Sequence, residues 1–247
     1  MKKKISASLI AILIITVFAS YNLVLAKPDQ QNPASDIERG VFVHYPRANG
    51  QVRGGGAVTG DQVNDFKYNG IHWAGITPVI HYSVNTANNQ SLNGSDVVSA
   101  TKAAFQEWMN HNLNDGKYIR FSYDGTTDLE TPANPSMDNA NTVSFEPLNA
   151  AYPNAIAVTF YWHYRGSKEL AETDTVFNSD LPWAVSGDPN SYDLQNIATH
   201  EFGHWLLLGD LYSLRDWALT MYGYGSLGEI IKRDLGKGDI SGINKIY

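Results

Sequence analysis

Runs in which apolar and polar residues alternate begin at about residue 67 and continue through the rest of the chain. In the run from Pro78 to Val84, the apolar Ile80, Tyr82 and Val84 are separated by the polar His81 and Ser83. A period of two is typical of a strand with one buried face. This run therefore predicts a strand at 78–84, the aromatic-rich run at 118–123 predicts a second, and 142–145, 156–162 and 170–177 are three further predicted strands.

Other stretches repeat their apolar residues every three or four positions, as an amphipathic helix does. Ser95 to Asn110 predicts one helix, with Ser95 as its N-cap, and Asp193 to Leu208 predicts a second. Asp239 to Tyr247 predicts a closing helix with Asp239 as its N-cap. This order of elements predicts an α/β (α+β) fold, in which a twisted mixed five-stranded sheet packs on helices.

The first 26 residues have the pattern of a signal peptide. Lys2, Lys3 and Lys4 form a basic start, an apolar stretch follows, and Val24-Leu25-Ala26 supplies a cleavage site. We therefore expect a secreted protein. The alternative is an uncleaved N-terminal membrane anchor, because 5–26 is nearly long enough to span a bilayer.

Residues 27–66 are polar and include Gly54-Gly55-Gly56, which is typical of a linker or pro-segment. They contain one short strand-like run, from Val41 to Tyr45, which Pro46 ends. Asp61 is a candidate to cap a metal in a latent form. The predicted organisation is a signal peptide (1–26), a pro-segment or linker (27–66) and a catalytic domain (67–247).

Charge and composition exclude some classes of function. The net charge is −7, and it becomes −10 when the three lysines of the leader are removed. An acidic protein with no basic cluster is a poor nucleic-acid binder, so we exclude that class. The chain has no cysteine, so disulfides and thiol catalysis are excluded, and any metal must be held by histidines and carboxylates.

The sequence His200-Glu201-Phe202-Gly203-His204 carries the candidate chemistry. Residues four apart lie on one face of a helix, roughly 6 Å apart at Cβ, so both imidazoles can reach one Zn²⁺. Glu201 lies one step round the helix, where it can take a proton from water and deliver it to a leaving amine. This arrangement predicts a zinc hydrolase.

A catalytic zinc needs a third protein ligand. Asp210 is the favoured candidate, provided that the helix ends near Leu207–Gly209 and the chain turns back there; Gly209 can supply that bend. Glu229 is the alternative, because it is the only glutamate after the motif.

Residues 200–210 resemble the extended zinc motif of the metzincin peptidases, and residues 218–222 (Ala-Leu-Thr-Met-Tyr) resemble their Met-turn. The segments 174–183 and 238–247 are similar to those of matrixin-type members. The resemblance covers about 73–247, and it implies that Met221 lies beneath the metal. It also implies an edge strand that pairs with the peptide substrate, for which 156–162 is the candidate.

Two positions depart from the metzincin pattern. Asp210 replaces the usual third histidine, as in the snapalysin branch, and Leu207 replaces a glycine. That glycine normally turns the chain toward the third ligand. Either Leu207 adopts the left-handed conformation, at a cost of about 1–2 kcal/mol, or Gly209 makes the turn.

The sequence therefore predicts a secreted zinc endopeptidase with Glu201 as general base, acting on proteins or peptides as a monomer. The alternative of another class is a non-catalytic extracellular zinc-binding module. Tyr222 and Tyr224 are candidate donors to the oxyanion of the reaction. The sequence identifies one zinc ion, and it offers no support for a Ca²⁺ site.

Overall fold

A computed structural model describes residues 36–47, 62–87, 89, 92–112 and 116–247. The predicted signal peptide, the glycine run at 54–56 and Asp61 lie outside the described residues. Among the described residues, no helix is long and apolar enough to cross a membrane.

A mixed sheet of seven strands forms the centre of the fold, in the order β11-β1-β6-β7-β5-β3-β4. Its strands are β1 (Ile37–Pro46), β3 (Val79–Val84), β4 (Arg120–Thr126), β5 (Thr142–Glu146), β6 (Ala157–Tyr164), β7 (Leu170–Asn178) and β11 (Tyr224–Gly225). Two short pairs lie outside it and join β2 (Lys67–Tyr68) to β10 (Leu208–Gly209) and β8 (Trp183–Ala184) to β9 (Tyr192–Asp193). All five predicted strands are present, and the predicted α/β (α+β) class is confirmed.

In the part of the chain that the structure describes, three α-helices accompany the sheet: α1 (Gly94–His111), α2 (Leu194–His204) and α3 (Lys237–Ile246). The predicted caps need two corrections. Asn93, rather than Ser95, caps α1, because its side chain accepts the backbone N–H of Asp96. Asp239 is the third residue of α3 rather than its N-cap, because Gly236 holds that position.

Helix α2 is held in the core by aromatic side chains from α1. The rings of Phe105 and Phe202 stack with centroids 3.6 Å apart, and Trp108 Nε1 donates to the carbonyl of Thr199 at 2.8 Å. Trp205, at the end of α2, is fully buried beside Phe105. Burial of this many aromatic side chains stabilises the fold strongly and fixes the position of the motif helix.

Strand β1 extends the sheet beyond the five predicted strands. The strand-like run at 41–45 belongs to a ten-residue strand. Glu38, Arg39 and Gly40 interrupt the apolar pattern of the sequence, but their backbones continue the pairing with β6. It pairs antiparallel with β6 over eight residues, from Ile37 opposite Tyr164 to His44 opposite Ala157. The candidate strand for pairing with a peptide substrate, 156–162, is therefore not at the edge of the sheet in this structure, because β1 pairs with it.

Candidate metal centre and active site

The two histidines of the motif lie on one face of α2 and are completely buried. His200 Nδ1 donates to the carbonyl of Thr220 and His204 Nδ1 to that of Leu208, each at 2.7 Å. A carbonyl can only accept, so each Nδ1 carries the proton and each Nε2 is left to bind a metal.

The chain turns sharply after α2, and Leu207 makes the turn. The helix ends at His204 rather than at the predicted Leu208, and Leu207 has a φ of +57°. The strained conformation costs about 1–2 kcal/mol. The Leu207 side chain is buried in the core, and its burial offsets this cost. Gly209 continues as part of strand β10 and is not needed for the turn.

This turn brings Asp210 back to the histidines. Its Oδ1 lies 3.1 Å from His200 Nε2 and 3.5 Å from His204 Nε2. Strand β2 holds the returning segment in place, because Lys67 pairs with Gly209 and its Nζ donates to the Asp210 carbonyl at 2.6 Å.

None of the three facing atoms, His200 Nε2, His204 Nε2 and Asp210 Oδ1, makes a hydrogen bond, although all are buried. Buried polar atoms without partners are costly, and two ring nitrogens and a carboxylate oxygen are ligands that zinc accepts. The residues present therefore fit a zinc ion. Glu229 belongs to neither of the metal-capable groups found among the described residues, so the structure brings Asp210 to the histidines instead.

The electrostatics of this group follow from its burial. Burial lowers the pKa of His200 to about 4, which keeps that ring neutral. At His204 burial also lowers the pKa, but Asp210 and Glu201 outweigh it and raise the pKa overall. Burial alone would raise the pKa of Asp210, but the facing histidines hold it well below its ordinary value. The carboxylate therefore stays ionised, as a metal ligand must.

Glu201 is completely buried, and both of its carboxylate oxygens have a partner. Oε2 accepts a hydrogen bond from Thr159 Oγ1 at 2.7 Å, and Oε1 lies 3.0 Å from His44 Nδ1. Burial raises the pKa of Glu201 to about 7. A carboxyl group with a pKa near neutrality can both accept and return a proton.

A chain of buried hydrogen bonds supports Glu201 from behind. Trp205 Nε1 donates to Thr175 Oγ1 at 2.9 Å, and Thr175 Oγ1 lies 2.8 Å from Thr159 Oγ1. Because Thr159 gives its proton to Glu201, Thr175 must donate to Thr159. The direction of the whole chain is thus fixed, and it ends on the carboxylate.

The segment with Met221 passes directly beneath α2. Met221 is buried, and a Cβ placed on Gly203 would lie 2.2 Å from its Sδ. Asp239 accepts the N–H groups of Thr220 and Met221, at 2.7 and 3.0 Å. The Thr220 carbonyl in turn accepts the proton of His200, so Asp239 fixes the segment that orients this ring.

The oxyanion roles of Tyr222 and Tyr224 stay predictions. Tyr222 is buried with its ring below the Arg47 guanidinium, and Tyr224 belongs to β11. The Tyr212 hydroxyl, by contrast, donates to Asp210 Oδ2 at 3.2 Å. Tyr212 therefore orients the candidate third ligand.

Sequence reasoning did not identify His44, Thr159, Tyr212 or Lys232 as site residues. Lys232 is completely buried, and its Nζ donates to the carbonyls of Tyr222 and Tyr224 and lies 3.3 Å from His44 Nε2. Burial lowers its pKa to about 8. In the sequence, His44 lies in the strand-like run at 41–45 and Thr159 in the strand predicted at 156–162, but nothing in the spacing connects residues so far apart.

Comparison with protein families gives a match that covers the candidate site. The profile of the family described as Matrixin matches residues 72–247, which is most of the chain and includes the whole of the motif helix and the returning segment. No curated protein matches the chain.

Proposed function

Since the chain belongs to the matrixin family of zinc metallopeptidases, we propose that it is a secreted zinc-dependent endopeptidase. The observation that supports this most directly is the convergence of three buried, unpartnered ligand atoms beside a buried carboxylate. In this proposal His200, His204 and Asp210 hold the metal, and Glu201 is the general base. The substrates are proteins or peptides.

A bound zinc ion would polarise the carbonyl of the scissile peptide and lower the pKa of the attacking water. Glu201 takes the proton from that water and later returns it to the leaving amine. Thr159 holds Glu201 by hydrogen bonding to Oε2, so the transfer is assigned to Oε1, which lies 3.0 Å from His44 Nδ1. Catalysis by a fixed group of this kind depends on the orientation of its lone pair, and the chain through Thr175 maintains it.

The alternative is a non-catalytic extracellular zinc-binding module. Such a site needs ligands for the metal but no general base. Glu201 is buried at a free-energy cost, and a chain of three buried hydrogen bonds ends on it without linking it to the metal. A carboxylate held in this way beside the candidate metal centre favours the enzyme.

Two measurements on purified protein test the proposed activity. Zinc content is measured together with cleavage of denatured casein, with and without a chelator, for the wild type and for Glu201→Gln. We expect both proteins to bind one zinc, and only the wild type to cleave casein, with the activity lost to chelator and restored by zinc. Hydrolysis by zinc-loaded Glu201→Gln would contradict the role of general base.

The identity of the third ligand is tested by a pair of matched variants. Asp210→Ala should lower the affinity for zinc by about 100-fold or more, because the loss of one buried ligand leaves two histidines facing the metal. Glu229→Ala should leave the affinity within about 2-fold of the wild type, as expected for a residue outside the ligand set. The reverse result would assign the metal to Glu229.

Secretion is proposed from the leader and from the extracellular character of the family. Mass spectrometry of the protein recovered from the medium should show a chain beginning at Lys27. A cell-bound chain that still begins at Met1 would instead identify an N-terminal membrane anchor.

A further inference from the structure

Lys232 lies at the bottom of a narrow pocket beside the candidate active site. Its side chain is completely buried, and its Nζ donates to the carbonyls of Tyr222 and Tyr224. An ammonium group has three donors, so the backbone takes two and one is left for whatever the pocket contains. In this structure the pocket contains the imidazole of His44, whose Nε2 lies 3.3 Å from Nζ.

The walls of this pocket are apolar and close together. A Cβ placed on Gly225 would lie 2.9 Å from Ile156 Cδ1, 3.1 Å from Ile197 Cδ1 and 3.3 Å from His44 Nε2. Gly225 therefore leaves room for the occupant where the Cβ of any other residue would narrow the pocket. Because the walls are apolar and the charge lies at Lys232, the pocket suits a side chain with an apolar stem and a polar end.

The pocket adjoins both the metal-binding face of α2 and the proposed base. The His44 ring lies over the His200 ring with centroids 4.0 Å apart, and its Nδ1 is 3.0 Å from Glu201 Oε1. In the proposed reaction Glu201 returns a proton to the leaving amine. The substrate residue that supplies this amine must therefore lie next to Glu201, and the pocket receives its side chain.

Lys232 forms no ion pair within the part of the chain that the structure describes. Burial lowers its pKa to about 8, although Glu229, Asp210 and Glu201 act in the opposite direction from a greater distance. The ammonium group therefore remains mostly charged at neutral pH. A buried charge without an opposite charge in contact is costly, and a carboxylate that enters the pocket would offset this cost.

Glutamate matches the dimensions of this pocket. Its carboxylate oxygens are the same number of bonds from Cα as Nε2 of histidine, the atom that meets Lys232 in this structure. Aspartate is one bond shorter, and glutamine reaches as far but carries no charge. The present occupant supplies only a neutral acceptor, because burial lowers the pKa of His44 well below its ordinary value.

We propose that Lys232 is a specificity-determining residue, which selects substrates with glutamate immediately after the cleaved bond. The proposal rests on the proposed peptidase function and names its substrate class. The carboxylate of the substrate accepts the third N–H of the ammonium group and neutralises its charge, while the methylenes pack between Ile156 and Ile197. Alanine at this position leaves the third N–H without an acceptor, and lysine brings a second cation against the first.

The test measures kcat/KM for three peptides that differ only in the residue after the cleaved bond, which is glutamate, alanine or lysine. The full secreted chain is compared with Lys232→Met, which keeps the length of the side chain without its charge. Lys245→Met is the matched control, because Lys245 is an exposed lysine of α3. We expect the wild type and the control to prefer glutamate to alanine by about 10-fold or more, and Lys232→Met to lose this preference.

Each preference is a ratio within one protein, so it does not depend on the fraction of molecules that is folded. Every peptide must also enter the pocket that His44 occupies in this structure, so that step cancels from the ratio. Equal cleavage of the glutamate and alanine peptides by the wild type would overturn the proposal, and so would an unchanged preference in Lys232→Met.

Peptide binding provides a measurement that needs no cleavage. Fluorescence anisotropy gives the Kd of the glutamate and alanine peptides for Glu201→Gln and for the double variant Glu201→Gln/Lys232→Gln. Glutamine can still donate to the carbonyls of Tyr222 and Tyr224, so the double variant loses the charge but keeps a donor there. The glutamate peptide should bind about 10-fold more tightly than the alanine peptide to Glu201→Gln only.

The outcomes separate this proposal from the proposed function. The same affinity of both peptides for Glu201→Gln, or the same preference in the double variant, would overturn the role of Lys232. A preference for glutamate in binding, without cleavage of any peptide by the zinc-loaded wild type, would support the role of Lys232 and would instead overturn the proposed peptidase function.

Discussion

His44 Nδ1 lies 3.0 Å from Glu201 Oε1, although 157 positions separate the two residues in the sequence. Both side chains are fully buried, and each has a further partner, Lys232 for His44 and Thr159 for Glu201. The proposed general base is thus held between β1 and its neighbour β6.

Thr159 is expected to act as a positioning residue for Glu201. Thr159→Val keeps the shape of the side chain but removes the hydroxyl, so Glu201 Oε2 loses its donor. We expect kcat to fall by about 10-fold or more with little change in KM, because an unoriented base loses effective molarity. Thr159→Ser retains the hydroxyl and should recover most of the activity; if Val and Ser variants are equally impaired, the hydroxyl has no such role.

Tyr212 is expected to strengthen zinc binding through Asp210. Its hydroxyl donates to Oδ2 of Asp210, which leaves Oδ1 directed at the histidines. Tyr212→Phe should lower the affinity for zinc by about 10-fold, as is usual when a partner of a metal ligand is removed. Tyr224→Phe is the matched control, because its ring neighbours that of Tyr212, with centroids 5.3 Å apart. Competition with a chromophoric chelator measures both affinities, and equal losses would contradict the prediction.

The left-handed conformation of Leu207 leads to an unusual order of stability. Leu207→Gly and Leu207→Ala both remove the buried side chain, but only glycine relieves the backbone strain. We expect the glycine variant to be more stable than the alanine variant by about 1 kcal/mol, the opposite of the order inside a helix. Urea unfolding of both zinc-loaded proteins measures the difference, and a more stable alanine variant would mean that the turn is not left-handed in solution.

Stability should depend on pH through Asp174. Burial raises the pKa of this carboxyl from 3.8 in the unfolded chain to about 8 in the folded protein. Between these values the folded state keeps a proton that the unfolded state has lost. The free energy of unfolding should therefore fall as pH rises from about 4 to about 8, by up to about 1.4 kcal/mol per pH unit, with no further contribution outside this window.

The measurement for Asp174 compares urea unfolding of the wild type and Asp174→Asn at several pH values. The asparagine stays uncharged, and its side-chain oxygen can still accept the Thr142 N–H that Asp174 binds at 2.9 Å. The variant should lose this part of the pH dependence and become more stable than the wild type, by a growing margin, toward pH 8. A difference in stability that does not change with pH would show that Asp174 is already ionised in the folded protein.

The sequence alone determined much of the fold and of the candidate metal site. Short runs rich in apolar and aromatic residues identified all five predicted strands, and in β3 the buried residues alternate with a period of two, as expected for a strand with one buried face. His200 and His204 were found for a similar reason, since residues four apart on a helix share a face whatever the rest of the fold does. The same reasoning identified Asp210, which needed only a turn between it and the helix.

The remaining features of the fold and the site depend on contacts between distant segments, so only the tertiary structure decided them. A period of 3.6 predicted that α2 continues to Leu208, but the packing of Leu207 into the core ends the helix at His204. Aspartate is a common N-cap residue, so the sequence predicted that Asp239 caps α3. In the fold, the segment with Met221 lies beside α3, and the Asp239 carboxylate accepts the Met221 N–H instead. Residues 37–46 have too few apolar positions to predict a long strand. They form one because their backbone pairs with β6 over eight residues. Hydrogen bonds between backbone groups carry no sequence signal, so only the folded chain shows that this strand covers Glu201.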